Sequence, residues 1–178
     1  MIYYIADTHL GHANIIRLNN RPFKSIEEMD RKIIDNWNKI VKPEDDIYIV
    51  GDLMYKCPDP GKYLAQLSGK KHLIKGNHDK YIKNKGMQKY FESISLIEDI
   101  MDGGRRVILC HYPMVEWDGY FRNSIHIYGH IHNNIENKAY KVMKEIPNAY
   151  NAGADILDFT PCTLDDVIRK NKEFQKKH

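Results

Sequence analysis

Ile47-Tyr48-Ile49-Val50-Gly51-Asp52 is the stretch whose reading decides the fold. Its first four residues are β-branched or aromatic, and an apolar run of this length reads as a buried strand. The run stops at a glycine, and a carboxylate follows at once. The same order recurs on both sides. Upstream, Ile2-Tyr3-Tyr4-Ile5 leads into Asp7-Thr8-His9; downstream, His72-Leu73-Ile74 leads into Gly76-Asn77-His78-Asp79. Arg105 to Cys110 leads into His111, and Ser124 to Tyr128 into Gly129-His130-Ile131-His132. In open α/β sheets the carboxyl ends of strands face one crevice, and ligands bind there. Five strand ends would therefore deliver acidic, amide and imidazole groups to one place.

The segments between these strands carry helical and turn signals. Ser25-Ile26-Glu27-Glu28 is a capping box, and Ile26, Met29, Ile33, Ile34, Trp37 and Ile40 follow at helical spacing. Pro43 with Asp45-Asp46 ends that segment. A short helix over Gly61–Leu67 would stop at Gly69, and Thr163 can cap a last helix running to about Phe174. Asp102-Gly103-Gly104 separates Ile97–Met101 from Arg105–Cys110 and reads as a hairpin turn. Helices alternating with strands early and a hairpin later predict a mixed α/β sheet domain.

The chain has 178 residues, with 27 Lys and Arg against 24 Asp and Glu. That length fits one domain over 1–178 with a substantial core. A composition of 42% hydrophobic and 29% charged residues argues against disorder, collagen-like repeats and coiled coils. A net charge of +3 does not by itself point to nucleic acid. No apolar run approaches the ~20 residues of a membrane span, and the first residues lack the pattern of a signal peptide, so a cytoplasmic location without a membrane partner is expected. Cys57, Cys110 and Cys162 show no paired spacing and read as reduced thiols.

Taken together, Asp7-x-His9, Gly51-Asp52, Gly76-Asn77-His78-Asp79, His111 and Gly129-His130-x-His132 resemble, in order, the motifs of the calcineurin-like metallophosphoesterases. The resemblance spans residues 7 to 132. Asp7 to His12, Arg21-Pro22-Phe23 and Trp37-Asn38 look like a compact bacterial or phage branch of that family. It implies a four-layer α/β/β/α sandwich of two mixed sheets, with a dimetal site at the carboxyl edge of the strands. It also implies that Asp7, His9 and His132 hold one ion, that Asn77, His111 and His130 hold the other, and that Asp52 bridges them. The donor chemistry agrees independently. Carboxylate, amide and imidazole without thiolate suit borderline divalent ions, manganese first, with iron, zinc or nickel as alternatives.

The implied reaction is hydrolysis of a phosphodiester or phosphomonoester by a hydroxide between the ions, with His78 protonating the leaving oxygen. Asp79, next in sequence, is expected to orient the His78 imidazole. His12, Arg21, Arg122 and Tyr112 are candidate substrate contacts, and Trp117 is a candidate stacking ring. His72, His126 and His178 read as structural or surface residues. With no cap domain in view, the cleft should be open, which favours a diester such as a cyclic nucleotide or a nucleic acid end. The partner is then a phosphate ester, with a nucleotide among the candidates. The alternative is a nuclease, for which Lys70, Lys71, Lys75, Lys80, Lys83 and Lys85 could line a basic groove. A non-catalytic metal-binding scaffold is a third reading.

Overall fold

The computed structural model describes residues 1–178. Four strands, β1 (Ile2–Ile5), β2 (Asp46–Ile49), β3 (Lys70–Ile74) and β4 (Ser93–Ser95), form one sheet in that order. β5 (Ile97–Asp102), β6 (Arg105–Cys110), β7 (Ile125–Tyr128) and β8 (Ala149–Asn151) form the second. The expectation of two mixed sheets holds for the second sheet alone. There β5 and β6 are antiparallel, and β7 and β8 run parallel to β6. The first sheet is parallel across all four strands, because each of its strands returns by a crossover on one side.

Six helices complete the chain: α1 (Asn14–Leu18), α2 (Ile26–Ile40), α3 (Pro60–Leu64), α4 (Lys85–Gln88), α5 (Lys138–Met143) and α6 (Leu164–Lys177). The Ser25 side chain accepts from the Glu28 N–H at 3.2 Å, as a capping box requires. The reciprocal arm differs: the Glu28 carboxylate accepts from the Lys24 N–H at 2.8 Å, one residue before the cap. The α3 helix begins at Pro60, with Asp59 as its cap, and is shorter than the expected 61–67. The hairpin closes through Gly103 and Gly104, with φ of +55° and +79°. Two consecutive left-handed residues in a two-residue loop are what a type I′ turn needs.

Alternation along β1 sorts the core into layers. Tyr3 and Ile5 join Met29, Ile33 and Trp37 of α2 on the outer face of the first sheet. Tyr4 and Ala6 point the other way, to Val107, Leu109, Ile125 and Ile127 between the sheets. Ile108, Tyr128 and Ala149 pack with Tyr140 and Met143 of α5 on the outer face of the second sheet. The result is the four-layer order helix, sheet, sheet, helix. Trp37 is fully buried and its indole N–H reaches the Ser68 carbonyl at 2.9 Å, so truncation to Ala would cost ~3–5 kcal/mol. No helix is long and apolar enough to cross a membrane.

The register positions the crevice. Ile5 pairs with Ile49, and Ile49 with Leu73, so Asp7, Asp52 and Asn77 leave their strands at the same edge. Ladder-like bonds continue past the strands, from Asp7 N–H to Gly51 O at 3.0 Å and from His9 N–H to Asp52 O at 3.1 Å. Ala6 exchanges bonds with Ala152 and Ala154 at 2.7 and 2.8 Å, which ties the edge of the first sheet to the segment after β8.

Candidate metal centre

Loops after five strands bring the seven expected ligands together. Asp7, His9 and His132 offer ligand atoms within 4.8 Å of one another, and so do Asp7, Asp52 and His111. Asp7 belongs to both groups. The Asn77 amide oxygen lies 3.2 Å from His111 Nε2 and 3.1 Å from His130 Nδ1, which places Asn77 and His130 beside the second group. Asp52 Oδ2 is 3.4 Å from His111 Nε2 and 3.8 Å from His9 Nε2, so its carboxylate stands between the two groups.

Buried polar atoms without partners mark where cations fit. Asp7 Oδ1 and both ring nitrogens of His9 are buried with no hydrogen bond. Such atoms cost free energy unless something else satisfies them, and a divalent ion does so for a carboxylate and a neutral imidazole together. Burial, with His132 alongside, holds the His9 imidazole neutral down to a pKa of about 2, the form in which it can donate a lone pair. Burial raises the Asp7 carboxyl, with the neighbouring histidines opposing it. Asp52 moves the other way: burial works against its charge, but the charge and contact of His111 outweigh it.

The backbone is strained here. Asp7, His9, Asp52, His130 and His132 have φ of +56°, +53°, +53°, +72° and +51°. Left-handed backbone is uncommon outside glycine and clusters at functional sites. The glycines explain how the chain comes so close. A Cβ on Gly51, itself at φ +85°, would lie 2.2 Å from His111 Nδ1, and one on Gly76 would lie 2.2 Å from Asp52 Oδ1.

Supporting contacts hold these loops. His111 Nδ1 donates to the Val50 carbonyl at 2.9 Å, leaving Nε2 to face the site. The His132 ring meets Asp155 Oδ2 at 3.0 Å through Nδ1, which leaves Nε2 toward Asp7. Sequence reading missed Asp155. It follows β8 by the same strand-then-acid order as Asp7 and Asp52, but a three-residue strand leaves no periodicity to find. Asn151 was missed for the same reason; its amide donates to the His132 carbonyl at 2.8 Å.

Several expected substrate contacts stand elsewhere. Arg21 is buried, and its guanidinium is fully engaged: it donates to Asp155 Oδ1 and Oδ2 at 2.9 and 3.0 Å, to Thr8 O at 2.8 Å and to Asp7 O at 2.7 Å. It braces the backbone of the site and has no face left for a phosphate. Arg122 is exposed on a 3-10 turn and pairs with Asp118 at 3.3 Å. Trp117 is core, with its N–H on Ser124 Oγ at 2.9 Å. Asp79 does not face the His78 ring. Its carboxylate accepts from the N–H groups of Asp52 and Gly76, each at 2.8 Å, and of Leu53 at 3.1 Å. It pins the turn that carries Asp52, and burial lifts its pKa to about 6 against those donors.

His12 and Tyr112 do stand at the site. The His12 ring is 5.5 Å from that of His9, and the exposed Tyr112 ring is 4.8 Å from that of His130. Between His12 and His78 lies Tyr55, missed in the sequence, with ring distances of 4.6 and 4.2 Å. His78 Nε2 is 3.9 Å from Asp52 Oδ2, and its side chain keeps 32% of its surface exposed, open to an incoming ligand. Its N–H donates to Asp52 Oδ1 at 2.8 Å, which fixes the loop against the carboxylate it would serve.

Known proteins resemble this chain over most of its length. The protein of unknown function AQ665 from Aquifex aeolicus, a solved structure, is 33% identical, with a TM-score of 0.74 over 95% of this chain and 98% of its own. The uncharacterized protein MJ1445 of Methanocaldococcus jannaschii is 33% identical over 175 residues, 94% of this chain and 89% of that protein. The Gene 66 protein of Mycobacterium phage L5 is 26% identical over 160 residues, covering 73% of this chain and 76% of the relative. The family model described as the calcineurin-like phosphoesterase superfamily domain matches residues 1–153, every expected ligand included. The chain belongs to the calcineurin-like phosphoesterase superfamily.

Proposed function

We propose that this metal-dependent phosphoesterase is a phosphodiesterase that holds two divalent ions, manganese first among them, and uses His78 to protonate the leaving oxygen. The observation that carries the reading is the pair of ligand groups sharing Asp7, one completed by His9 and His132 and the other by Asp52 and His111. When bound, such ions neutralise phosphoryl oxygens and activate water for attack on phosphorus.

The chain's own residues do the rest. Asp7 and Asp52 supply the negative charge that concentrates cations in a crevice otherwise lined by imidazoles. Arg21 and Asp155 fix His132, and Asp79 fixes the Asp52 turn, so the ligands are held before anything binds. His78, part-exposed and with Nε2 3.9 Å from Asp52 Oδ2, would give its proton to the departing oxygen. A diester is favoured over a monoester by charge. Of the two arginines expected at the substrate, Arg21 is held on Asp155 and Arg122 pairs with Asp118 on the surface, so neither is set to take the second negative charge of a monoester. A continuous basic groove for nucleic acid is not supported either, since the Lys71 ammonium is spent on the carbonyls of Leu67 and Gly69 at 2.8 and 2.9 Å.

The test is turnover of bis(p-nitrophenyl) phosphate and p-nitrophenyl phosphate after chelation, then with manganese, nickel, zinc or magnesium returned. Chelation should abolish both activities, manganese should restore them, and the diester should be the better substrate. His78→Ala should slow alkyl diesters at least tenfold more than nitrophenyl esters, because only the poor leaving group needs the proton. A rate indifferent to chelation refutes the metal reading, and equal losses on both leaving groups refute the role of His78.

A further inference from the structure

Beside His78 the surface opens into a cavity of about 360 Å³. It is lined by Tyr55 and Lys56, which follow the Asp52 turn, and by Lys80 and Tyr81, which follow His78. That volume lies in the range of small-molecule sites. Its chemistry is specific. The Tyr55 ring is the one that packs against His78, and the Lys56 ammonium lies 5.3 Å from the Tyr55 ring centroid. Lys56 and Lys80 are exposed, and neither makes an ion pair with a carboxylate of this chain, unlike Arg105, Arg106, Lys141 and Lys170.

We propose that this cavity receives the leaving group of the phosphoester and selects one that carries both an aromatic ring and a further negative charge, that is, a nucleotide. The inference rests on the reading of His78 as proton donor, because the group that takes that proton must lie on the His78 side of the phosphorus. The Tyr55 ring offers a base a stacking surface once the Lys56 ammonium that lies over it moves to the phosphate, a contact worth ~1–3 kcal/mol in nucleic acid sites. Lys56 and Lys80 both line the cavity and supply the countercharge for a phosphate beyond the scissile one. Asp52 begins the loop that carries Tyr55 and Lys56, and its carboxylate accepts the His78 backbone N–H, so the subsite and the reaction centre keep a fixed relation.

The test is equilibrium binding to the full chain after metal stripping, which separates the subsite from catalysis. Adenosine 5′-monophosphate, adenosine and inorganic phosphate are titrated by calorimetry. The nucleotide should bind at least tenfold more tightly than either of its parts. Tyr55→Leu should bring the nucleotide to the affinity of phosphate, and the Lys56→Ala, Lys80→Ala double variant to that of adenosine. Lys172→Ala, on an exposed lysine of α6 outside the cavity, should change nothing. Phosphate binding as tightly as the nucleotide, or indifference to the Tyr55 and lysine changes, overturns the inference. If bis(p-nitrophenyl) phosphate is still hydrolysed in a metal-dependent way by that protein, the subsite alone has failed; if no ester is hydrolysed with any metal, the underlying phosphodiesterase reading has failed with it.

Discussion

Asp155→Asn is the sharpest probe of how the site is built. The substitution keeps the side-chain volume and removes one charge. In the parent, the Asp155 carboxylate takes two bonds from Arg21, at 2.9 and 3.0 Å, and one contact from His132 at 3.0 Å, with both ion-pair side chains almost completely buried. Burial opposes the charge of Asp155, yet His132 and Arg21 hold its pKa down to about 2. Removing one partner of a buried pair leaves the other uncompensated, at a cost of ~3–5 kcal/mol. Arg21 retains its bonds to the Thr8 and Asp7 carbonyls, so the lower figure, about 3 kcal/mol, is the expected loss. In a domain of this size each kcal/mol moves Tm by ~2–4 °C, giving a fall of about 6–12 °C by thermal unfolding in chelator. The same change takes the negative charge from behind the His132 ring, and a weakened supporting contact of this kind lowers metal affinity ~10–100-fold, measured by calorimetry. A Tm within about 2 °C of the parent together with unchanged metal affinity would refute the claim that Asp155 organises this centre.

Three further outcomes follow from other contacts. Gly51→Ala should reduce manganese affinity and diester turnover at least 100-fold, because the new Cβ would sit 2.2 Å from His111 Nδ1; near-parental turnover would show that His111 can yield. Asp79→Asn leaves one acceptor oxygen for three N–H donors and should cost ~1.5–3 kcal/mol in urea unfolding with lower kcat, an effect absent if the Asp52 turn holds by itself. His126 is buried, and that burial lowers its pKa from 6.5 to about 4. Between those values the unfolded chain binds the proton and the folded one does not, so stability is unaffected above pH 6.5 and declines by about 3 kcal/mol as pH falls to 4. His126→Gln should remove that part of the slope in urea titrations across the window, and an unchanged slope would assign it to other groups.

Much of this molecule is legible in its sequence because two periodicities and one punctuation rule act together. Tyr3 and Tyr4 go to opposite cores as alternation dictates, α2 begins at its capping serine, and polar groups directly after strands meet in one crevice. What escaped reading has identifiable causes. β4 and β8 have three residues each, too few to show a period, and losing β8 hid Asn151 and Asp155. Arg21 looked like an anion ligand because sequence gives its charge and not its depth; only burial reveals that the charge is already matched. Asp79 was assigned to its sequence neighbour, His78, whereas its carboxylate turns back to amides of two loops. Parallel pairing of the whole first sheet followed from crossovers whose side the sequence does not state.

The left-handed backbone of Asp7, His9, Asp52, His130 and His132 sets a direction for how this protein can change. At those positions glycine would relieve torsional energy while abolishing a donor atom, so the easiest stabilising substitutions are also inactivating ones. A lineage that no longer needed hydrolysis would gain thermal robustness by discarding this centre. Screens of variants for heat tolerance alone are therefore expected to enrich for dead proteins unless turnover is selected alongside.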